Sequence, residues 1–295
     1  MTQHTPTPSP AGTPNEHSGR TRPYVLGTGD DETFRLGLQH RLWCNAAFDL
    51  WLRAGLQPGQ RVLDLGCGPG HATLDLAQMV GMQGRVVGVD ESPTFLKQLG
   101  TESEARRLHN IDRVLGDVQN LDLCLPDPAT NDYFDMAYAR WVFCFLASPA
   151  EVVKGVRRVL RTGGRLVVQD YFNYEFGITM APRREAFSNA VAAIGRSWRS
   201  RGGNPDIMGE LPRILKHHGF AIEHMGVQQR IARPQTSMWH WPWTFFNSYL
   251  PKLVESGFLS KQACDDALRD LALAAADDTQ FVLVPPVFEL IAVKR

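Results

Sequence analysis

Between Arg61 and Gly70 the chain reads R-V-L-D-L-G-C-G-P-G, a short apolar strand meeting three alternating glycines just before a helical pattern. A strand that turns straight into a helix needs its next strand parallel to the first, because the helix carries the chain back along the sheet. The residues that follow repeat the unit. From Gly70, Thr73, Leu76, Ala77 and Val80 fall at helical spacing, and Arg85–Val89 predicts a second strand. Ser92 and Pro93 are placed as N-cap and first-turn residue of another helix. Val114–Leu115 before Gly116 predicts a third strand and Phe134–Tyr138 a fourth. Ser148-Pro149-Ala150-Glu151 has capping-box spacing, with Val152, Val153, Val156, Val159 and Leu160 on one face behind it. Thr162-Gly163-Gly164 is expected to end that helix and Arg165–Gln169 to form a fifth strand. A helix near Leu211–His218, capped by Gly219, leads to a sixth strand near Ala221–Val227, and Val287–Val293 is the last. The pattern predicts a Rossmann-like α/β domain that binds its ligand beyond the carboxyl ends of the strands.

Two stretches interrupt the alternation, about 173–205 and 231–284. Both are too long for ordinary connections and are expected to be helical elements on the substrate side. At the other end, residues 1–23 contain Pro6, Pro8, Pro10, Pro14 and Pro23 and hardly a large apolar side chain, which predicts a disordered tail. Residues 24–58 are rich in helical apolar spacing but too short to fold alone, so they should pack on the main domain, 59–295.

Charge is balanced, 31 Lys+Arg against 31 Asp+Glu, so no global field draws the chain to nucleic acid or an anionic membrane. No apolar run approaches the ~18 residues that span a bilayer, and the N-terminus lacks a secretory signal pattern. Cys44, Cys67, Cys124, Cys144 and Cys264 are odd in number and never C-x-x-C, which argues against a disulfide framework and a structural metal site. The expectation is a cytoplasmic protein without metal.

A glycine turn alone admits more than one ligand. The dinucleotide fingerprint asks for Gly or Ala three residues beyond its second glycine, yet this chain has His71 or Thr73 there, depending on the starting glycine. The order of residues around the turn instead resembles the class I S-adenosylmethionine-dependent methyltransferases, whose first motif is matched by Asp64, Gly66, Gly68 and Gly70. The resemblance continues with Asp90, one residue past the second strand, where the family holds the ribose hydroxyls; a carboxylate accepts from both vicinal hydroxyls at once. Asp117 falls where the family reads the adenine amino group, with Val118 donating from its backbone. It implies a seven-stranded sheet, mostly parallel with an antiparallel last strand, and helices on both faces. It also implies S-adenosyl-L-methionine as cofactor, touched in addition by Cys67, Glu91, Ser92, Gly116, Ala139 and Arg140. Tyr24, Gly27 and Arg35 resemble a stretch that covers the cofactor in related small-molecule enzymes, with Arg35 facing the methionine carboxylate or forming a plain surface ion pair. Cys67 reads as a small residue exposing its backbone, and His71 as a first-turn helix residue rather than a base.

Departures narrow the substrate. Phe145-Leu146 stands where many relatives carry His-Leu, and Ala139-Arg140-Trp141 replaces the N-P-P-Y type motif of amino methyltransferases acting on nucleic-acid bases or protein amides. Trp239, Trp241, Trp243, Phe245, Phe246, Tyr249 and Phe258 crowd the late insertion, either as its own core or as walls for an acceptor, and Trp198 sits in the earlier one. Trp141, Tyr171, Trp198, Trp239, Trp241 and Trp243 are the expected substrate contacts. The catalytic group is unassigned, with Asp170, Tyr171 and His240 as candidate bases. Residues 152–201 hold ten basic and three acidic residues, a solvated face or, in an alternative reading, an RNA-binding one. A non-methylating catalyst or binding protein using the same cofactor pocket is the other alternative. The leading expectation is methyl transfer to O, N or C of a small, largely apolar or aromatic molecule. The oligomeric state is not assigned.

Overall fold

The computed structural model describes residues 29–295. The tail expected at 1–23, and Tyr24 and Gly27, lie outside the described residues. The first element is a single long helix, α1 (Asp30–Arg53). Alternating units follow: β1 (Arg61–Leu65), α2 (His71–Val80), β2 (Arg85–Asp90), α3 (Pro93–Ala105), β3 (Ile111–Leu115), a one-turn α4 (Leu121–Cys124), β4 (Phe134–Arg140), α5 (Pro149–Val159) and β5 (Leu160–Tyr171). The first interruption supplies α6 (Tyr174–Gly177), β6 (Thr179–Ala181) and α7 (Glu185–Ser200), before α8 (Leu211–His217) and β7 (Phe220–Gln228). The second supplies β8 (Ile231–Ala232), α9 (His240–Glu255), α10 (Lys261–Ala275) and β9 (Phe281–Leu283), and β10 (Val287–Lys294) ends the chain.

Seven strands form one sheet in the order β3-β2-β1-β4-β5-β10-β7. The first five are parallel neighbours, whereas β10 runs antiparallel to both β5 and β7. The pleat sends alternate side chains to opposite faces, and the core divides accordingly. Val62, Met136, Tyr138, Val167 and Ile291 pack under Ala47, Leu50 and Trp51 of α1 and Leu76, Ala77 and Val80 of α2. Leu63, Ala137, Leu166, Val168 and Leu290 face Val152, Val153, Val156 and Val159 of α5 and Leu211 and Leu215 of α8. Because both faces are covered, the central strands read as continuous apolar runs.

The two interruptions meet each other. β6, β9 and β8 form a second, three-stranded sheet, and α7 packs against α9 and α10. They build one layer over the carboxyl ends of the parallel strands.

Three local expectations need correction. Ser148 precedes α5, and Pro149 occupies its first turn, but the Ser148 side chain makes no capping bond. Its backbone N–H donates to Gln119 Oε1 at 2.8 Å, and Glu151 pairs with Lys154 rather than reaching back. Thr162-Gly163-Gly164 does not end the helix: α5 stops at Val159, and Leu160 already belongs to β5. Gly163, at φ 77°, sits inside β5 where the β4–β5 ladder shifts register between Phe134 and Met136. The third strand starts earlier than expected, at Ile111, because only its polar side chains hid it.

The basic stretch 152–201 is answered mostly by acids from elsewhere in the chain. Arg158 pairs with Asp122, Arg161 with Asp135, Arg165 with Glu223, Arg184 with Asp270, and Arg199 with Glu175 and Asp206. Among the described residues no helix is long and apolar enough to cross a membrane.

Trp51 is fully buried and meets Tyr138 edge-on at 5.1 Å, joining α1 to the middle of the sheet. Trp51→Ala should cost about 3–5 kcal/mol, read as a lower urea midpoint at unchanged slope. A loss below about 1 kcal/mol would mean that α1 contributes little to the fold.

Candidate functional site

The loops at the carboxyl ends of β1, β2, β3 and β4 surround one cavity of about 660 Å³, roofed by α1 and by the layer built from the two interruptions. Its floor is the turn after β1. Gly66, Gly68 and Gly70 all have positive φ, 62°, 56° and 89°. A side chain at Gly70 would drive a Cβ to 2.3 Å from Leu99 Cδ1, so this glycine lets α2 leave the strand close to α3. Gly68 faces open space instead, and an added Cβ there would stand in the cavity. The Asp90 carboxylate accepts from the Gly68 N–H at 2.8 Å and from the Ser92 N–H at 2.9 Å, which ties the turn after β1 to the turn after β2. Ser92 caps α3 as expected, its Oγ accepting from the Phe95 N–H.

Of the residues expected at the cofactor, Arg35, Asp64, Gly66, Cys67, Gly68, Asp90, Glu91, Ser92, Gly116, Asp117, Val118 and Arg140 line this cavity. Gly70 and Ala139 do not, since Gly70 turns into α2 and Ala139 is enclosed within the sheet. Asp117 holds its own turn by accepting from the backbone N–H of Gln119 and the side chains of Gln119 and Asn120. Burial pushes the carboxyls of Asp90 and Glu91 above the ordinary range and raises the Cys67 thiol strongly, so Cys67 is no thiolate.

Asp64 is the most perturbed of these acids. It is enclosed, accepts from the Thr73 hydroxyl at 2.6 Å, and is pushed up to about 7 by burial, partly offset by that bond and by the nearby Arg140 guanidinium. Arg35 is also enclosed. Its guanidinium meets Glu32 through two bonds, of 2.7 and 2.6 Å, and donates to Gln39 Oε1 at 3.0 Å. The neutralising partner is therefore a residue one helical turn away.

The cavity changes character as it passes Trp141. Trp141, Tyr171 and Trp198 line it as expected, with Trp241 from the late interruption. Trp141 stacks on Tyr171 at 6.2 Å and lies 6.0 Å from Trp241, while Tyr171 and Tyr174 both pack on Trp198. Trp141 takes φ 55°, a left-handed backbone, and its buried indole N–H has no partner among the described residues. Trp241 donates to Gln39 Oε1 at 2.8 Å and so joins α9 to α1.

The structure does not bring the remaining candidates here. Trp239 is buried and Trp243 half-buried in the packing of the late interruption itself, outside the cavity lining. His240 opens α9 on the exposed side. Asp170 is fully enclosed, and its carboxylate accepts from the Tyr171 and Cys144 N–H groups, so it braces the chain after β4 rather than facing an acceptor. Of the candidate bases only Tyr171 lines the cavity, and burial raises its phenol well above the usual value, so it stays protonated.

Sequence reasoning missed Gln39 and His40 on α1 and gave His71 no role at the site, although all three line the cavity. It also missed Tyr174, and of the aromatics it left open as core or acceptor wall, Phe245 and Phe246 line the cavity beside Trp241. His40 Nδ1 lies 2.8 Å from Arg140 Nη2 and His40 Nε2 lies 2.8 Å from Asp75 Oδ2. The only local signal was i, i+4 spacing of polar groups on α1, which a surface face also shows. Among the described residues there is no cluster of His, Cys, Asp and Glu able to hold a metal ion.

Because burial raises the Asp64 carboxyl in the folded chain, its proton is held more tightly there than in the unfolded chain. Stability is then fully present below the ordinary value of 3.8 and is lost as pH rises through about 7. Asp64→Asn should raise the unfolding temperature of the ligand-free protein above pH 7, with the gain shrinking as pH falls toward 4. A pH-independent gain in thermal scans would contradict an ionisable, desolvated Asp64.

Comparison with known proteins agrees with this geometry. A family model described as a methyltransferase domain matches residues 56–219, from before β1 to the end of α8. A 2-phytyl-1,4-naphtoquinone methyltransferase of Synechococcus elongatus is 38% identical over 134 residues, 44% of this chain and 53% of that protein. A ubiquinone/menaquinone biosynthesis C-methyltransferase of Vibrio campbellii is 31% identical over 134 residues, 45% of this chain and 48% of that protein. The chain thus spans about half the length of these curated relatives. Among solved structures, a putative methyltransferase from Bacillus halodurans superposes with a TM-score of 0.57 at 20% identity, covering 83% of this chain and 97% of the other, a likeness of fold. With the family model covering more than half of its length and the sheet order and glycine turn described above, the chain belongs to the class I S-adenosylmethionine-dependent methyltransferases.

Proposed function

We propose that this protein transfers the methyl group of S-adenosylmethionine to O, N or C of a small, largely apolar or aromatic molecule. The observation that carries the reading is the single cavity whose one half is polar and glycine-floored and whose other half is walled by Trp141, Tyr171, Tyr174, Trp198 and Trp241. Small-molecule sites are built this way, with wide apolar walls and few polar groups. The relatives named as quinone methyltransferases support an acceptor of this kind.

The residues present fit the cofactor. Gly68 leaves room over its backbone, Asp90 and Asp117 stand at consecutive strand ends, and Arg140 Nη1 and Trp141 Nε1 are buried without partners among the described residues. Bound S-adenosylmethionine supplies an electrophilic methyl on a sulfonium whose leaving group is a neutral thioether. The chain's part is to hold an acceptor in line and keep water away, positioning worth up to about 7–11 kcal/mol of barrier. Helices α7 and α9 enclose that half of the cavity, with α10 packed behind them. Tyr171, protonated and facing inward, is suited to donate a hydrogen bond to an acceptor oxygen rather than to remove a proton.

We also place the protein in the cytoplasm, with a small molecule as its partner and neither membrane nor nucleic acid. The five cysteines are free, three of them buried, and the basic residues of 152–201 are largely paired with acids.

The direct test is incubation with S-adenosylmethionine and fractionated small metabolites. Mass spectrometry should find a species heavier by one methylene, formed together with S-adenosylhomocysteine. Methyl incorporation confined to RNA or protein would overturn the substrate reading. Asp90→Ala should weaken cofactor binding by roughly 1–3 kcal/mol in calorimetry, the cost of losing hydrogen bonds to a carboxylate; unchanged affinity in a folded variant would refute that assignment. Trp198→Leu should raise KM for the acceptor about 3- to 10-fold, matching the ~0.5–1.5 kcal/mol of one aromatic contact, while cofactor affinity stays near its original value.

A further inference from the structure

Arg140, at the end of β4, carries an unusual set of partners. Its Nη2 lies 2.8 Å from His40 Nδ1, whereas its Nη1 is buried in the cavity wall with no partner among the described residues. A guanidinium only donates, so His40 Nδ1 must be the acceptor. The His40 proton is then on Nε2, donated to Asp75 Oδ2 at 2.8 Å. One tautomer satisfies the whole chain from Asp75 through His40 to Arg140. Beside Arg140 lies the enclosed Asp64 carboxylate, close enough for the two charges to act on each other. The cavity wall thus holds the Arg140 guanidinium and the enclosed Asp64 carboxylate within electrostatic reach of each other, the complement of an amino-acid group with its carboxylate and ammonium. Arg35, the other enclosed arginine at the cavity, is already matched by Glu32 and Gln39.

We propose that Arg140 receives the carboxylate of the cofactor's amino-acid end, and that neutral His40, held by Asp75, is the positioning residue that aims it. The inference rests on the cofactor reading given above. It makes carboxylate recognition sensitive to acid. Once protonated, His40 carries a hydrogen on Nδ1 that opposes the guanidinium, and the hydrogen bond that orients Arg140 is gone. The groups facing His40 are Asp75 and the stacked His71 on α2, Arg140 on β4 and Arg41 on α1. Burial and the two arginines favour the neutral ring, while Asp75 opposes them; the balance holds His40 below the usual imidazole value.

The test compares S-adenosylhomocysteine with its decarboxylated analogue, which keeps the ammonium, by calorimetry at neutral pH and in mildly acidic buffer. The ratio of the two affinities isolates the carboxylate, because titration of Asp64 affects the ammonium common to both. The original protein should prefer the carboxylate compound by about 10- to 100-fold at neutral pH, the scale of a charge-assisted pair, and the preference should shrink in acid. Arg140→Met should abolish the preference while still binding the decarboxylated compound, which also serves as the check on folding. His40→Phe, which offers no acceptor, should lower the preference at neutral pH. His40→Asn, whose side-chain oxygen sits near the place of Nδ1 and does not titrate, should restore the preference and remove its acid sensitivity. A preference that survives in Arg140→Met overturns the assignment of the carboxylate. A preference equally large and equally acid-sensitive in His40→Phe overturns the positioning role. If the original protein binds neither compound, the cofactor reading itself fails, and this inference with it.

Discussion

The Asp90 carboxylate is the point on which the cavity is built. It accepts the Gly68 N–H from one loop and the Ser92 N–H from the next, so two turns that leave neighbouring parallel strands are held at a constant separation. Parallel strands end their chains on the same side, and their loops would otherwise be independent surface segments. A half-buried carboxylate bridging them converts separate turns into one floor. Burial raises the carboxyl's pKa while the two N–H bonds lower it, so the bridge is held by opposing effects of similar kind.

From that floor the structure rises by layers that depend on one another. Trp51 and Leu50 set α1 on the sheet, and the same helix then presents Arg35, Gln39 and His40 to the cavity at its other end. Gln39 accepts from both Arg35 and Trp241, which couples α1 to the first turns of α9. The aromatic half of the cavity therefore has no wall of its own independent of the polar half. Trp141 joins them, following Arg140 in the chain and stacking on Tyr171. Buried hydrogen bonds here specify geometry more than they add stability, since each polar group must find its partner for the layers to close.

Buried groups that cost stability collect in the same place. Asp64 is held as a desolvated carboxyl, Trp141 takes a left-handed backbone, and the Trp141 and Arg140 nitrogens lack partners among the described residues. Elsewhere the chain obeys its local rules: Ser92 and Ser260 cap their helices, and exposed arginines pair with acids. Departures concentrated at one cavity are what a ligand-binding site is expected to retain.

Local patterns along the chain determined the alternating strands and helices, the glycine turn, the limits of β1 and the starts of β2 and α3, because each rests on spacing within a few residues. Asp64, Asp90 and Asp117 were legible for the same reason, being tied to strand ends that sequence can place. Tertiary structure alone decided which groups face the cavity. Trp241 and Trp243 are two residues apart on α9, yet only the first turns inward, toward Gln39 some two hundred residues earlier. Ser148 had the spacing of a cap and lost it because its N–H found Gln119 across the loop. Asp170 sat at the right strand end, but its carboxylate was taken by the Cys144 and Tyr171 N–H groups. His40 meets Arg140, a hundred residues away, because α1 lies across the sheet, and no periodicity in either segment encodes that meeting. Element identity is a local property of backbone and side-chain spacing, whereas the partners of a polar side chain depend on how separate layers pack, and packing is where such information first exists.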